Sequence, residues 1–512
     1  MGHTLMPPRT RCATRILAAA ILILTEAAGT SDAAEPPASS VPLDAKIDLE
    51  ATLPIPKALY GANAEILVNR VWFDHPALEE KYIYSGRPFF RFPGGTPSNY
   101  YNHETGFVDL DPRSAKATAF LWVNQMITSQ TGDAGRDYDD FFAFAQKTDA
   151  TYSIVLNVCT KTAAENRVWL RSLAAKGYDV THVEIGNEVY LKNCMWVFPT
   201  GDEYVRRAQQ ETASVRKYFP DAKVGVVVPT QLYKDARFFN EDYPRHLAHE
   251  RGWIEALQRE NFFDAVVLHP YTNTGVPYLG DPKDFISHLE GYKNVTNNLE
   301  QQHDAAFDQL ETRFPGKEIW ATEYGVGGFG GTVKHYRLRF THLGALHADL
   351  MLVRFLNRPS VTVAHWHSFS HFFDIVGGEQ GIGDKEHPGF AHFRLFDDPI
   401  RQNDSVVPLA FGRKNPDVEA VALVGDERGH LVLINKRGRP HTLRSLTASR
   451  SGRTLDATFR HATQLRLRSD MTFEEATYSE ESPDRVELSG DELTPLELAP
   501  YSATKLEFTL AR

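Results

Sequence analysis

Two glutamates stand where apolar runs stop, each with a polar neighbour: Asn187-Glu188 closes Thr181–Glu188 (THVEIGNE), and Thr322-Glu323 lies in Glu318–Gly325 (EIWATEYG). A polar group at the end of a buried strand costs free energy to desolvate. Taken singly, each has a plainer alternative, a helix N-terminal carboxylate for Glu188 and half of a surface ion pair for Glu323. Taken together they supply what glycosidic cleavage needs. One carboxyl protonates the departing oxygen, and the second attacks or stabilises the anomeric carbon. Three more apolar runs are interrupted in the same way, by Arg91 in PFFRFPG, by His269-Pro270-Tyr271 and by His365-Trp366-His367. One interruption decides nothing, whereas five at equivalent places mark a site.

Those places are equivalent only if a repeating architecture makes them so. Apolar runs at Ala58–Leu67, Pro88–Gly94, Tyr152–Cys159, Thr181–Glu188, Lys223–Pro229, Ala265–Tyr271, Glu318–Gly325 and Ser360–Phe369 alternate with helical stretches. The helical stretches include Tyr138–Thr148, Ala163–Ala175, Asp202–Tyr218 and Val333–Asn357, the last stopped by Pro359. Eight such units predict an α/β fold, a (β/α)8 TIM barrel, whose active site lies at the C-terminal ends of the strands. A doubly wound open sheet is the alternative, but LYGANAEIL offers no Gly-rich phosphate loop after the first strand. No eighth helix is legible between residues 377 and 416. From about residue 417 the texture changes to short strand-like runs, at Val418–Val424, His430–Asn435, Gln464–Leu467 and Tyr501–Leu510. They predict a C-terminal β-sandwich.

The expected organisation is therefore a signal peptide over 1–33, a linker over 34–44 and a strand in 45–57 that joins the sandwich. The catalytic barrel follows over 58–394, and the C-terminal β-sandwich over 395–512. Arg9, Arg11 and Arg15 precede the apolar run Ile16–Leu24, and Ser31 and Ala33 fill the small positions of a cleavage site. The reading is export to a secreted or periplasmic location, with an uncleaved anchor as the alternative. The run is short for a bilayer span. Cys12 would leave with the signal. The remaining Cys159 and Cys194 follow neighbouring strands, which predicts a disulfide in an oxidising compartment.

The segment FRFPGGTPSNYYNHETG, Phe90 to Gly106, is similar to the Pro-Gly-Gly region of family 51 α-L-arabinofuranosidases and of families 39 and 79, the β-xylosidase and β-glucuronidase types. Asn187-Glu188 on strand four with Glu323 on strand seven resembles the signature of the retaining glycoside hydrolases of clan A. The resemblance implies Glu188 as general acid/base and Glu323 as nucleophile. It implies Asn187 on the sugar 2-hydroxyl, Arg91 and Tyr271 beside the nucleophile, and Trp366 as the floor of the reacting-sugar subsite. His269 belongs to the same substrate-binding set. The chain departs from the family after Gly95, with Thr96-Pro97-Ser98-Asn99-Tyr100-Tyr101, and carries His103 where an aromatic is common.

Tyr100, Tyr101, Trp196 and Phe198 follow strands and could line further sugar subsites, or simply pack. His365-x-His367 with His371 has metal-like spacing, but sugar binding or core hydrogen bonding explains it more simply, so no metal is expected. Gly325–Gly331 (GVGGFGG) lacks the Lys-Ser/Thr ending of a phosphate loop and reads as a rim loop. The 512 residues have 42% hydrophobic and 24% charged content, enough for a large domain and a smaller one. A formal net charge of −11 without a basic run excludes an ordinary nucleic-acid binder. No cofactor is implied, and carbohydrate is the expected partner. A non-catalytic carbohydrate-binding barrel is the rival reading, and it leaves two intact glutamates without a use.

Overall fold

Eight short strands, all parallel, close on one another. They are β1 (Gly61–Asn63), β2 (Phe89–Phe92), β3 (Tyr152–Leu156), β4 (His182–Ile185), β5 (Lys223–Val227), β6 (Ala265–Leu268), β7 (Glu318–Gly327) and β8 (Val361–Trp366). Each pairs with the next, and β8 returns to β1 through His365 and Trp366 against Gly61 and Ala62. The computed structural model describes residues 40–64, 73, 75–110, 121–136, 138–191, 194–229, 243–273, 288–327, 338–377, 381–412, 415–426, 428–493 and 495–510. The expected signal peptide, the linker up to residue 39 and most of the Gly-rich stretch after β7 lie outside them.

The strand sequences explain the closure. β3 and β6 are buried at every position, as strands covered on both faces must be. Inside the barrel, space is shared between large and absent side chains. A Cβ on Gly225 of β5 would come within 2.6 Å of the Trp320 ring from β7, so only glycine leaves room for that indole. Helices Ala163–Ala175 and Gly201–Tyr218 begin with complete capping boxes, at Thr162/Glu165 and Thr200/Glu203. These satisfy N–H groups that would otherwise be orphaned just past β3 and β4.

Several elements differ from the sequence expectation. Of the strand read as Ala58–Leu67, Gly61–Asn63 forms β1 after a 3-10 turn at Lys57–Leu59, and residues 65–67 lie outside the described residues. Of the helix read as Val333–Asn357, His342–Leu356 is helical with Thr341 as its N-cap, Leu338–Phe340 is a 3-10 turn, and residues 333–337 lie outside the described residues. The eighth helix that was not legible is Pro388–Leu395, after a hairpin of Phe373–Gly377 and Gly381–Glu386. Six of its eight residues are buried, so it has no polar face to give a helical period.

The second layer system is all β. Val418–Val424, Arg428–Asn435 and Ser502–Leu510 pair antiparallel in one sheet. The long strand Arg453–Arg466 continues that sheet with its C-terminal half and pairs with His441–Arg450 through its N-terminal half. Val41–Asp48, from the opposite end of the chain, lies parallel to His441–Arg450 and antiparallel to Leu409–Phe411. Its burial alternates strictly from Leu43 to Asp48, one face on the core and one in solvent. Leu43, Ala45 and Ile47 meet Leu431, Leu433, Leu506 and Phe508 in a core separate from that of the barrel. Two apolar sheet faces packed on each other make the β-sandwich.

Candidate active site

At the C-terminal end of the barrel one cation organises the polar residues. Arg91 of β2 is fully buried, and all five of its N–H groups are engaged. Nε and Nη2 donate to Glu184 of β4 at 2.8–3.0 Å, and the remaining Nη2 bond goes to Asn187 Oδ1 at 2.8 Å. Nη1 donates to Asn63 of β1 at 3.0 Å and to Glu323 Oε1 at 2.7 Å. Burial disfavours the guanidinium charge, but Glu184 and Glu323 outweigh it and hold the proton more firmly than usual. A charged fork this well matched is costly to remove one partner at a time.

Glu323 is ringed by donors. Its Oε2 accepts from the Tyr271 hydroxyl at 2.8 Å, with His269 Nδ1 at 3.7 Å and His367 Nε2 at 3.8 Å. Burial pushes this carboxyl upward, but His269, His367, Arg91 and the Tyr271 hydroxyl prevail and hold it well below the usual carboxylate range. The position follows from an irregularity in β7. Its register against β8 shifts between Ala321 and Tyr324, so that consecutive residues Thr322 and Glu323 both reach the polar cluster.

Glu188 is different in kind. It lies just past β4 in the left-handed backbone region, at φ +46°, and its side chain is 23% exposed against 7% for Glu323. Its Oε1 meets His269 Nδ1 at 3.0 Å. The strand end is clamped by Asn99, which accepts from the Asn187 N–H at 2.9 Å and donates to its carbonyl at 2.5 Å. His269 thus touches both carboxylates through one nitrogen, and its Nε2 meets Thr322 Oγ1 at 3.2 Å. Burial lowers the pKa of this imidazole, but Glu323 and Glu188 outweigh that and hold it above its ordinary value.

Arg91, Asn187, Glu188, His269, Tyr271 and Glu323 are therefore brought together. Trp366 is not. It packs against Phe372 and Phe393 at ring distances of 5.7 and 6.1 Å and against Tyr324 at 6.0 Å, on the helix side of β8. Strand alternation sends its neighbour His367 inward instead. Tyr100 is fully buried and Tyr101 nearly so, the latter against Tyr138, so neither is available as a sugar platform. Phe198 likewise packs on Tyr204 and Trp253, whereas Trp196 stays partly exposed in the turn after β4. His365 stacks on Phe89 deeper in the barrel. Among the described residues no group of three or more potential ligands could hold a metal ion.

Glu184, Asn63, Asn99 and Thr322 are the participants that sequence reasoning missed. Cys159 and Cys194 do meet, both buried, with sulfurs 2.8 Å apart. Burial, then the neighbouring Cys194, pushes the Cys159 thiol well up.

No protein-family model matches the chain, and no curated protein matches it. Solved structures do. An α-L-arabinofuranosidase from Thermotoga maritima, solved as its arabinose complex, superimposes with a TM-score of 0.60 at 17% identity, over 92% of this chain and 100% of the other. A family 51 α-L-arabinofuranosidase from Bifidobacterium longum gives 0.63 at 16%, over 91% and 99%. A family 44 endoglucanase from Clostridium thermocellum gives 0.58 at 14%, over 92% and 100%. The fold, barrel and sandwich together, is the one found in these clan A glycoside hydrolases.

Proposed function

We propose that this chain is a retaining glycoside hydrolase, exported, acting on polysaccharide or oligosaccharide by double displacement with Glu323 as nucleophile and Glu188 as acid/base. The observation that carries the reading is the asymmetry of the two carboxyls about one imidazole. Glu323 is buried among donors that keep it anionic, as a nucleophile requires. Glu188 faces the same space with more exposure and one basic neighbour. A single nitrogen, 3.0 Å from one carboxylate and 3.7 Å from the other, keeps the pair close. That suits the roughly 5–5.5 Å separation of retaining enzymes better than the wider gap that inverting enzymes keep for a water.

In the first step Glu188 gives its proton to the leaving oxygen as that bond breaks, and Glu323 bonds to the anomeric carbon. In the second, water attacks that carbon, returns a proton to Glu188 and releases Glu323. Asn187, fixed by Arg91 and Asn99, is placed to hold a hydroxyl beside the nucleophile. A panel of nitrophenyl glycosides that includes furanosides and uronides, with the anomeric configuration of the first product read by NMR, tests the proposal. Retention on one member supports it. Inversion, or sugar binding without turnover, overturns it.

Export and the bridge belong to the same reading. In an oxidising compartment Cys159 and Cys194 are placed to lose two protons and two electrons to a disulfide exchange partner and bond to each other. Mature protein, denatured without reductant, should then offer no alkylatable thiol. Two alkylated cysteines would remove the bridge from the proposal.

A further inference from the structure

His269 sits in a line of hydrogen bonds that the two-glutamate mechanism does not use, and the line has a direction. It begins at Glu184, which accepts from Arg91 Nε and Nη2 and, at 3.3 Å, from the Thr322 hydroxyl. A carboxylate facing a guanidinium only accepts, so the single hydroxyl hydrogen of Thr322 is committed to it. The Thr322 oxygen is then left as an acceptor for its other neighbour, His269 Nε2 at 3.2 Å. That nitrogen must carry a hydrogen. The remaining nitrogen, Nδ1, faces Glu188 Oε1 at 3.0 Å.

We infer that the chain Glu184–Thr322–His269 fixes the hydrogen of His269 on Nε2 and thereby makes Nδ1 and Glu188 the holders of one shared proton. The inference rests on the reading of Glu188 as acid/base and adds Thr322 as a positioning residue for its proton. With the proton on Glu188, the carboxyl donates to the Nδ1 lone pair and is armed for the leaving oxygen. After that proton has gone to the leaving group, the Glu188 carboxylate faces a lone pair instead of a donor. Its basicity is raised when it must take a proton from the attacking water. A ring with its hydrogen on Nδ1 would do the opposite, stabilising the carboxylate and weakening both roles.

The groups facing His269 agree with a bond to one mobile proton. Arg91 comes from β2, Glu184 from β4 and Glu188 from just past it, Tyr271 from just past β6, Glu323 from β7, His365 from β8 and His367 from just past it. Burial works against a charge on this ring, but Glu323 and Glu188 outweigh it and hold the imidazole above its ordinary value.

Thr322→Val removes the hydroxyl with little change of shape and frees the ring to place its hydrogen on Nδ1. The alkaline limb of the kcat/KM profile should move to lower pH, with a loss of about tenfold or more on slow-leaving substrates and less than about twofold on activated aryl glycosides. Thr322→Ser, which keeps the hydroxyl, should restore the limb. In 15N-histidine-labelled enzyme, with the His269 signal identified by its absence from His269→Gln, Nε2 should be the protonated nitrogen in the wild type and Nδ1 in Thr322→Val. A wild-type ring protonated on Nδ1 alone, an unmoved alkaline limb in Thr322→Val, or no restoration by Thr322→Ser would each overturn the relay. If Thr322→Val fails to fold, the wild-type spectrum decides. The spectrum reads the ring whether or not the nitrophenyl panel finds turnover, so failure of the relay and failure of the enzymatic reading stay distinct.

Discussion

Arg91 spends one guanidinium on four residues, and the proposed nucleophile is only one of them. Arg91→Ala therefore removes a charge from Glu323 and at the same time leaves Glu184 buried without its partner. Turnover should fall by about 10²–10³. The acidic limb of kcat/KM should move to higher pH, because a carboxyl held down by a cation rises when the cation goes. A pH–rate profile with an unmoved acidic limb would remove Arg91 from the ionisation of Glu323. The two glutamates separate by a different measurement. Glu323→Ala should be nearly inactive on every substrate, and Glu188→Ala selectively poor on those whose leaving group needs a proton. Added azide should rescue Glu188→Ala on an activated aryl glycoside to a product of retained configuration, and Glu323→Ala to one of inverted configuration. The reverse pattern would exchange the assignments.

Individual elements decide which of two adjacent residues does the work, and there the sequence was only partly legible. The polar ends of β2, β4, β6, β7 and β8 stood out because each breaks an apolar run, and from them the barrel and six of the site residues could be read. Trp366 could not be placed, because choosing between it and His367 requires the inward register of β8, and a one-residue step reverses every side chain. Glu184 lies within His-Val-Glu-Ile, which reads like ordinary alternation with a polar face in solvent. Thr322 reaches the cluster beside Glu323 only because β7 is irregular there, and no local residue announces that shift. The β8 correction is testable. Trp366→Ala should cost about 3–5 kcal/mol of stability by opening a cavity against Phe372 and Phe393, with KM nearly unchanged in whatever protein remains folded. His367→Ala should instead raise KM or lower kcat with the melting temperature little altered. The opposite division in thermal melts and kinetics would return Trp366 to the sugar.

Across the whole molecule, barrel and sandwich are joined by partly buried charge. Glu419 of the sandwich accepts from Arg354 Nε and Nη2 at 2.8 and 2.7 Å and from Lys436 at 2.6 Å, with Glu300 also on Lys436 at 2.7 Å. Beside them His342 meets the Tyr501 carbonyl at 2.7 Å and continues through His392 to Asp349. Glu419→Ala should destabilise by about 3 kcal/mol, the lower end for breaking a buried pair because Glu300 remains for Lys436. Denaturant unfolding checks the figure, and a change below about 0.5 kcal/mol would reduce the junction to surface pairing. The placement of Val41–Asp48 has its own consequence, in time rather than in space. Its two neighbours, Leu409–Phe411 and His441–Arg450, are made only after the whole barrel. Until they arrive, an alternating strand with an apolar face has no native edge to join, and such pairings over long sequence separation are slow. The barrel can begin to collapse as its βα units appear, whereas the sandwich has to bring together strands that lie on either side of the barrel in sequence. Refolding should accordingly show an early helical phase and a later, slower one. The second should carry the β signal, and the intervening species should be the one prone to pair its orphan strand with another copy.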